Sequence, residues 1–189
     1  MKETELLRDL FHRRWAMPTL AALHRWRGAK FVTLYKTLDA SAGAMRTTVD
    51  ELASAGFVVK NPGYGHPMRP EYILTKRGQR VGVACDDLLK GVDEANARKT
   101  ALSKWAMPVL YSLRSSPLKF TEIREQCPGL TDRALTQTLK LCQGTGLIER
   151  EVAETYPPTA IYSLSMNGRS LLQHLSPLVE SLHESGHWS

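Results

Sequence analysis

The chain has 189 residues, 42% of them hydrophobic and 23% charged, which suits one large or two small folded domains and excludes a disordered or collagen-like chain. No apolar run approaches the ~20 residues a membrane span needs, and the charged, amphipathic start MKETELLRDLFHRRW lacks the apolar stretch of a secretory signal, so the expected location is the cytoplasm. The formal net charge of +6 is unevenly placed, since residues 1–90 carry 15 Lys and Arg against 9 Asp and Glu while residues 91–189 carry 10 against 10, and a basic half attracts polyanions such as nucleic acid.

Residues 3–14 read as a short helix leading into Trp15. A helix over 16–27 follows, with Leu20 and Leu23 on one face and Pro18 in its opening turn. Phe31, Leu34, Tyr35 and Leu38 at i, i+3, i+4, i+7 predict a second helix from Lys30 to Leu38. Ala40-Ser41-Ala42-Gly43 reads as a turn, and a third helix runs from about Ala44 to Ala55 with Met45, Val49 and Leu52 inward, closed by Gly56. Phe57-Val58-Val59 starts a strand and Glu71-Tyr72-Ile73-Leu74 returns, across the breaker-rich loop Asn61 to Pro67. Thr75 caps a long helix expected to reach about Ala101.

The order then starts again. Pro108 to Leu113 lies in a first helix, Thr121 is an N-cap candidate for a second through Gln126, and Cys127-Pro128-Gly129 makes a turn. Thr131 caps a third helix from Asp132 to about Gln143, with Ala134, Leu135, Thr138, Leu139 and Cys142 inward. Leu147 to Arg150 and Ile161 to Leu164 are paired strands. Ser165 caps a closing helix to about Ser185, with Leu171, Leu172, Leu175, Leu178 and Leu182 on its apolar side and Pro177 expected to kink or interrupt it.

The two halves match residue by residue. Trp15-Ala16-Met17-Pro18 recurs as Trp105-Ala106-Met107-Pro108, an offset of 90 that also pairs Leu20 with Leu110, Ala44 with Ala134, Gly56 with Gly146, Pro67 with Pro157, Tyr72 with Tyr162 and Gly78 with Gly168. Phe31 pairs with Phe120 at an offset of 89, so one residue has been gained or lost nearby. The fold class expected is mainly α with small β-hairpins, an α+β chain of two tandem winged helix-turn-helix domains, residues 1–90 and 91–189. In such a unit the third helix suits a major groove and the hairpin the flanking backbone.

Residues 104–175 resemble the HxlR family of bacterial transcription factors. The resemblance rests on Lys104-Trp105, Lys119-Phe120-Thr121-Glu122-Ile123, Pro128-Gly129-Leu130-Thr131, Leu135-Thr136-Gln137-Thr138-Leu139-Lys140, Gly146-Leu147-Ile148-Glu149-Arg150, Tyr156-Pro157-Pro158, Ile161-Tyr162-Ser163-Leu164 and Gly168. Unit one is similar only through Trp15, Phe31, Gly56, Pro67, Tyr72-Ile73-Leu74-Thr75 and Gly78, and has Ala42-Gly43 where unit two has Pro-Gly-Leu-Thr. The resemblance implies a sequence-specific DNA-binding transcriptional regulator. Because the family is usually a single-domain homodimer on paired half-sites, two fused units look like an intrachain pseudo-dimer. Residues 92–104, ahead of Trp105, hold no cysteine, so the thiol sensing of some relatives is not implied.

The candidate DNA-binding residues follow. The exposed side of the third helix in unit two offers Thr131, Asp132, Arg133, Thr136, Gln137 and Lys140. Arg133, Thr136 and Gln137 suit base edges, through bidentate contacts to guanine or adenine and a methyl contact to thymine, and Lys140 suits a phosphate. The matching face of unit one has Arg46 and Thr47 as readers, bordered by Met45, with Asp50 and Glu51 as phosphate-repelling acids. Wing one is positive, with Lys60, His66 and Arg69, while wing two carries Glu149, Glu151 and Glu154 against Arg150. Arg13, Arg14, Arg25, Arg27 and Lys30 cluster around the first helix, as backbone contacts or as a solvated face. Trp15, Trp26, Trp105, Tyr35, Tyr72, Tyr111 and Tyr162 are core candidates, with an aromatic effector pocket between the units as the other reading.

Cys85, Cys127 and Cys142 have no metal-like spacing; Cys142 is a core position and Cys127, before Pro128 in a turn, is the one placed for partial exposure and redox chemistry. No Gly-rich phosphate loop, H-E-x-x-H or nucleophile elbow occurs, so neither an enzyme nor a cofactor is expected. The expected partner is double-stranded DNA, with a small aromatic effector and a second copy of the chain as further candidates. The alternative function is a small-molecule-binding or drug-sequestering protein on the same scaffold with weak or no DNA binding.

Overall fold

The structure, a computed structural model, describes residues 2–62, 70–156 and 158–185. Helices α1 (Glu3–Phe11), α2 (Ala16–Arg25), α3 (Phe31–Thr37) and α4 (Ala42–Ser54) precede strands β1 (Val58–Lys60) and β2 (Tyr72–Leu74) and helix α5 (Lys76–Glu94). After the short α6 (Arg98–Ala101) come α7 (Ala106–Ser112), β3 (Leu118–Lys119), α8 (Phe120–Gln126), α9 (Asp132–Gly144), β4 (Ile148–Ala153), β5 (Thr159–Leu164) and α10 (Met166–Glu184). The class is mixed α+β, dominated by helix, with antiparallel sheets of two and three strands.

Local chemistry sets these elements at the same places in both halves. Ser41 and Thr131 accept a hydrogen bond from the backbone N–H of Ala44 and Ala134, and so cap α4 and α9. Both helices stop by one device. Gly56 (φ +73°) and Gly146 (φ +67°) turn left-handed, and the next N–H, of Phe57 or Leu147, returns to Leu52 or Cys142 O. Val58 faces Leu74 in one hairpin and Ile148 faces Leu164 in the other. Thr75 and Ser165 then cap α5 and α10 and donate their hydroxyls to Gly56 O and Gly146 O. Pro18 and Pro108 sit in the first turn of α2 and α7, where a missing N–H breaks no helical bond.

The buried side chains form one continuous core through both halves. Helix α5 packs along α2 and α10, and α1 lies on α7 in the second half of the chain. There Lys2 Nζ donates to Glu125 O at 2.7 Å, the Thr4 hydroxyl donates to Gln126 O, and Arg114 pairs with Glu3 at 2.7 Å. The first helix of the chain thus holds the turn after α8. Between α5 and α10, a Cβ on Gly91 would lie 2.5 Å from His174 Cδ2, so the helices meet closely there, and His174 Nδ1 is 2.8 Å from Asp87 Oδ2.

Several expectations are corrected. Helix α4 begins at Ala42, not Ala44, because the Ser41 cap is satisfied two residues earlier than the glycine suggested. The helix after Thr75 does not reach Ala101. Asn96 takes a left-handed conformation (φ 48°), the Ala97 N–H returns to Val92 O, and a separate α6 follows. Thr121 is not an N-cap: Lys119 is, its backbone N–H donating to Glu122 Oε2 at 2.6 Å, and Leu118–Lys119 forms a third strand on β5. Pro177 does not interrupt α10, which runs unbroken from Met166 to Glu184 with Leu171, Leu175, Leu178, Val179 and Leu182 buried along one side. Cys127 is 1% exposed, and burial pushes its thiol up to about 12, so it is no exposed redox centre. Trp26 is 38% exposed rather than core, while Tyr72, Tyr111 and Tyr162 are buried.

Candidate nucleic-acid interface

Helix α9 turns Leu135, Thr138, Leu139 and Cys142 into the core, which leaves Asp132, Arg133, Thr136, Gln137 and Lys140 exposed. The spacing is that of a helix with one apolar stripe. Thr138 is kept in the core by donating its hydroxyl to Ala134 O at 2.8 Å. Thr131 is occupied as the cap, and the Thr136 hydroxyl donates to Asp132 O at 2.8 Å, so its hydrogen is already committed within the helix. Asp132 is paired with Arg124 of α8 at 2.9 Å, which offsets the acid nearest the start of α9. Among the described residues, Arg133, Gln137 and Lys140 have no hydrogen-bond or ion-pair partner, so their donors are available to a ligand.

Helix α4 repeats this pattern of buried and exposed positions but not its chemistry. Met45 is fully buried. Arg46 is exposed as a residue, yet its guanidinium lies 4.1 Å from the centre of the Phe31 ring and donates to the Tyr72 hydroxyl at 3.2 Å. Thr47 donates to Gly43 O at 3.2 Å. Glu51 accepts from Arg13, with Nε 2.7 Å from Oε2, and this hydrogen bond holds the Glu51 carboxyl below its usual range. Of the basic cluster, Arg13 is therefore paired, as is Arg25, with Asp86, and Arg14 lies 5.0 Å from the Trp15 ring centre.

Lys60, at the end of β1, is exposed opposite Tyr72. Tyr64, His66 and Arg69 lie outside the described residues. In wing two, strand alternation puts Glu149 and Glu151 on one side of β4 and Arg150 on the other. Arg150 shares a cleft with Thr136, Lys140 and Gln143 of α9, so the basic side of the strand faces α9 and the two glutamates are turned away. The cleft has a volume of about 370 Å³ and is completed by Phe120, Leu139 and Tyr162. Sequence reasoning did not find it. The signal was present in the repeat, where the arginine that fills the matching place in unit one aligns with the short Thr136.

A capped second helix, a turn at Gly129, an exposed third helix and a flanking hairpin define a winged helix-turn-helix protein. The chain belongs to the HxlR-like helix-turn-helix family, whose pattern matches residues 101–187. It is 40% identical over 77 residues to an uncharacterized HTH-type transcriptional regulator of Methanothermobacter thermautotrophicus, an alignment covering 41% of this chain and 59% of that protein. It is 33% identical over 84 residues to the HTH-type regulator BH0655 of Halalkalibacterium halodurans, covering 44% of this chain and 71% of the relative. Among solved structures, the redox regulator HypR in its oxidized form is similar at 28% identity and a TM-score of 0.46, over 50% of this chain and 97% of that one. The chain thus spans about six tenths of the archaeal relative's length. Among the described residues no helix is long and apolar enough to cross a membrane.

Proposed function

We propose that the chain is a sequence-specific DNA-binding transcriptional regulator in which two winged-helix units, residues 1–90 and 91–189, arose by duplication and act as an intrachain pseudo-dimer. The observation that carries the reading is the outer face of α9, where Arg133, Gln137 and Lys140 are exposed and unpaired among the described residues. Arg133, Gln137 and the Thr136 methyl are the base-reading groups, and Lys140 and Arg150 bind phosphate. The common cap, stop and hairpin positions of the two units support a duplication. The units are unequal on DNA. Arg46 is held by Phe31 and Tyr72, and Asp50 repels phosphate, so unit one contributes mainly through Thr47, Lys60 and Arg69. Its excess positive charge attracts the backbone.

A gel-shift series on DNA upstream of the coding sequence tests this reading. Specific shifts that weaken with salt, and that weaken further in Arg133→Ala and Gln137→Ala, are expected. No specific shift at low salt across genomic fragments would sink it. One observation, the open cleft beside α9, favours a second reading as a small-molecule-binding protein with weak DNA affinity. Saturable quenching of tryptophan fluorescence by planar aromatic compounds, with no salt-dependent DNA binding, would identify that alternative.

A further inference from the structure

The two units differ at one constructed place. In unit one the space between α4 and the hairpin is filled from within by Arg46, whose flat guanidinium stacks on Phe31 and hydrogen-bonds the Tyr72 hydroxyl. In unit two the aromatic pair is retained as Phe120 and Tyr162, but Thr136 stands where Arg46 would be, too short to reach it. A cleft of about 370 Å³ is left open, in the size range of a small-ligand site. Its charge differs as well. Asp50, which accompanies Arg46 in unit one, is replaced by Lys140, while Lys60 and Arg150 both keep the positive charge on the strand. Lys140 and Arg150 line the cleft without an ion-pair partner among the described residues.

We infer that the cleft bounded by Phe120, Thr136, Lys140, Gln143, Arg150 and Tyr162 binds a planar aromatic carboxylate. Unit one supplies the geometric precedent, since a flat guanidinium there lies over the Phe31 ring and donates to the Tyr72 hydroxyl. The change from Asp50 to Lys140 selects the ligand: a planar cation suits the Asp50 side and a planar anion the Lys140 and Arg150 side. The ring stacks between Phe120 and Tyr162, and the carboxylate takes charge-assisted hydrogen bonds from Lys140 and Arg150. Only one consequence rests on the DNA-reading role of α9. A ligand on Thr136 and Lys140 occupies groups that the DNA needs, so the two exclude each other.

The test is calorimetric titration of the full chain with 2-naphthoate, without DNA, beside neutral 2-naphthalenemethanol and cationic benzamidine. One naphthoate per chain is expected, with the neutral and cationic compounds much weaker. Thr136→Arg, which rebuilds the unit-one plug, and Lys140→Glu should each abolish naphthoate binding while circular dichroism shows an unchanged melt. Arg46→Thr opens the matching space beside Asp50 and should add a benzamidine site without adding a naphthoate site. No naphthoate binding by the unmodified chain, or binding indifferent to both Thr136→Arg and Lys140→Glu, overturns the proposal. A gel shift run alongside separates the two ideas. Naphthoate binding without DNA binding removes the regulator reading alone, and DNA binding without naphthoate binding removes the ligand site alone.

Discussion

A Cβ placed on Gly168 would lie 2.1 Å from the carbonyl oxygen of Leu147. The first turn of α10 is pressed onto the chain where it enters β4, and Ser165 tightens the joint by donating to Gly146 O while capping Gly168 N. Gly78 repeats the contact in unit one, 1.9 Å from Phe57 O. In neither place is the clashing atom a mobile side chain, so a methyl group must move backbone. Gly168→Ala and Gly78→Ala should each cost about 3 kcal/mol, read as a lower urea midpoint with an unchanged slope. Gly43→Ala is the control, since a Cβ there meets nothing within 4 Å among the described residues.

The caps of the two third helices predict a smaller and equal loss. Ser41 and Thr131 each satisfy one N–H at 3.2 Å, at exposed positions with no other side-chain partner among the described residues. Ser41→Ala and Thr131→Ala should each destabilise by about 1 kcal/mol, and Ser41→Asp and Thr131→Asp should retain most of the stability. The measurement is the same urea titration, and inequality beyond a factor of two would mean that the units do not share this joint.

Much of this was legible in the sequence because it is local or periodic. Thr131 three residues before Ala134, Gly146 after an apolar stripe, and the offset of 90 between Thr75 and Ser165 each announce their own geometry. What escaped depends on partners distant along the chain. Leu118–Lys119 forms a strand only because β5 passes beside it, and two residues carry no period of their own. The contact of α1 with the second half of the chain rests on backbone oxygens at Glu125 and Gln126, which no residue type advertises. Arg46 looked like a base reader because its helix position is exposed, but its side chain is long enough to reach Phe31, and only the folded hairpin puts Tyr72 in reach. Asn96 ended α5 early through a left-handed turn that glycine more often signals.

The three thiols should be silent until the chain opens. Cys85, Cys127 and Cys142 are all buried and unpaired in disulfides, and burial raises all three, Cys127 and Cys142 to about 12. Their thiolate fraction at neutral pH is accordingly very small. Native protein should resist an aromatic disulfide reagent, and the labelling rate should rise with urea in step with unfolding. Rapid labelling of Cys127 in native buffer would contradict the closed packing of the turn after α8.

Asp86 links stability to pH. Burial alone would raise its carboxyl, but Arg25, with Nε 3.0 Å from Oδ1, and Lys90, 3.5 Å from Oδ2, outweigh burial and hold it below its usual value. A carboxyl depressed in the folded state adds stability above its unfolded pKa of about 3.9 and loses it as pH falls through the folded value. Asp86→Asn should therefore be less stable at pH 7 and approach the unmodified chain below about pH 4. The difference should be modest, about 1 kcal/mol or less, because the Arg25 side chain is 55% exposed and solvent screens the pair. Parallel urea titrations at the two pH values measure it.

The outer face of α9 separates charge from sequence reading. If Lys140 meets a phosphate, Lys140→Ala should weaken binding to all DNA sequences alike and lower the slope of log affinity against log salt by about 1. If Arg133 meets a guanine edge, Arg133→Ala should cost about 1–3 kcal/mol on the specific site and relax preference at one base pair. Arg46→Ala should do neither, because its guanidinium is already committed to Phe31 and Tyr72 in the free protein. Its effect should fall on the stability of unit one. Binding isotherms at several salt concentrations on a specific and a scrambled duplex distinguish these outcomes. A loss of specificity in Arg46→Ala as large as in Arg133→Ala would show that unit one reads bases too, and that its arginine leaves the Phe31 ring when DNA arrives.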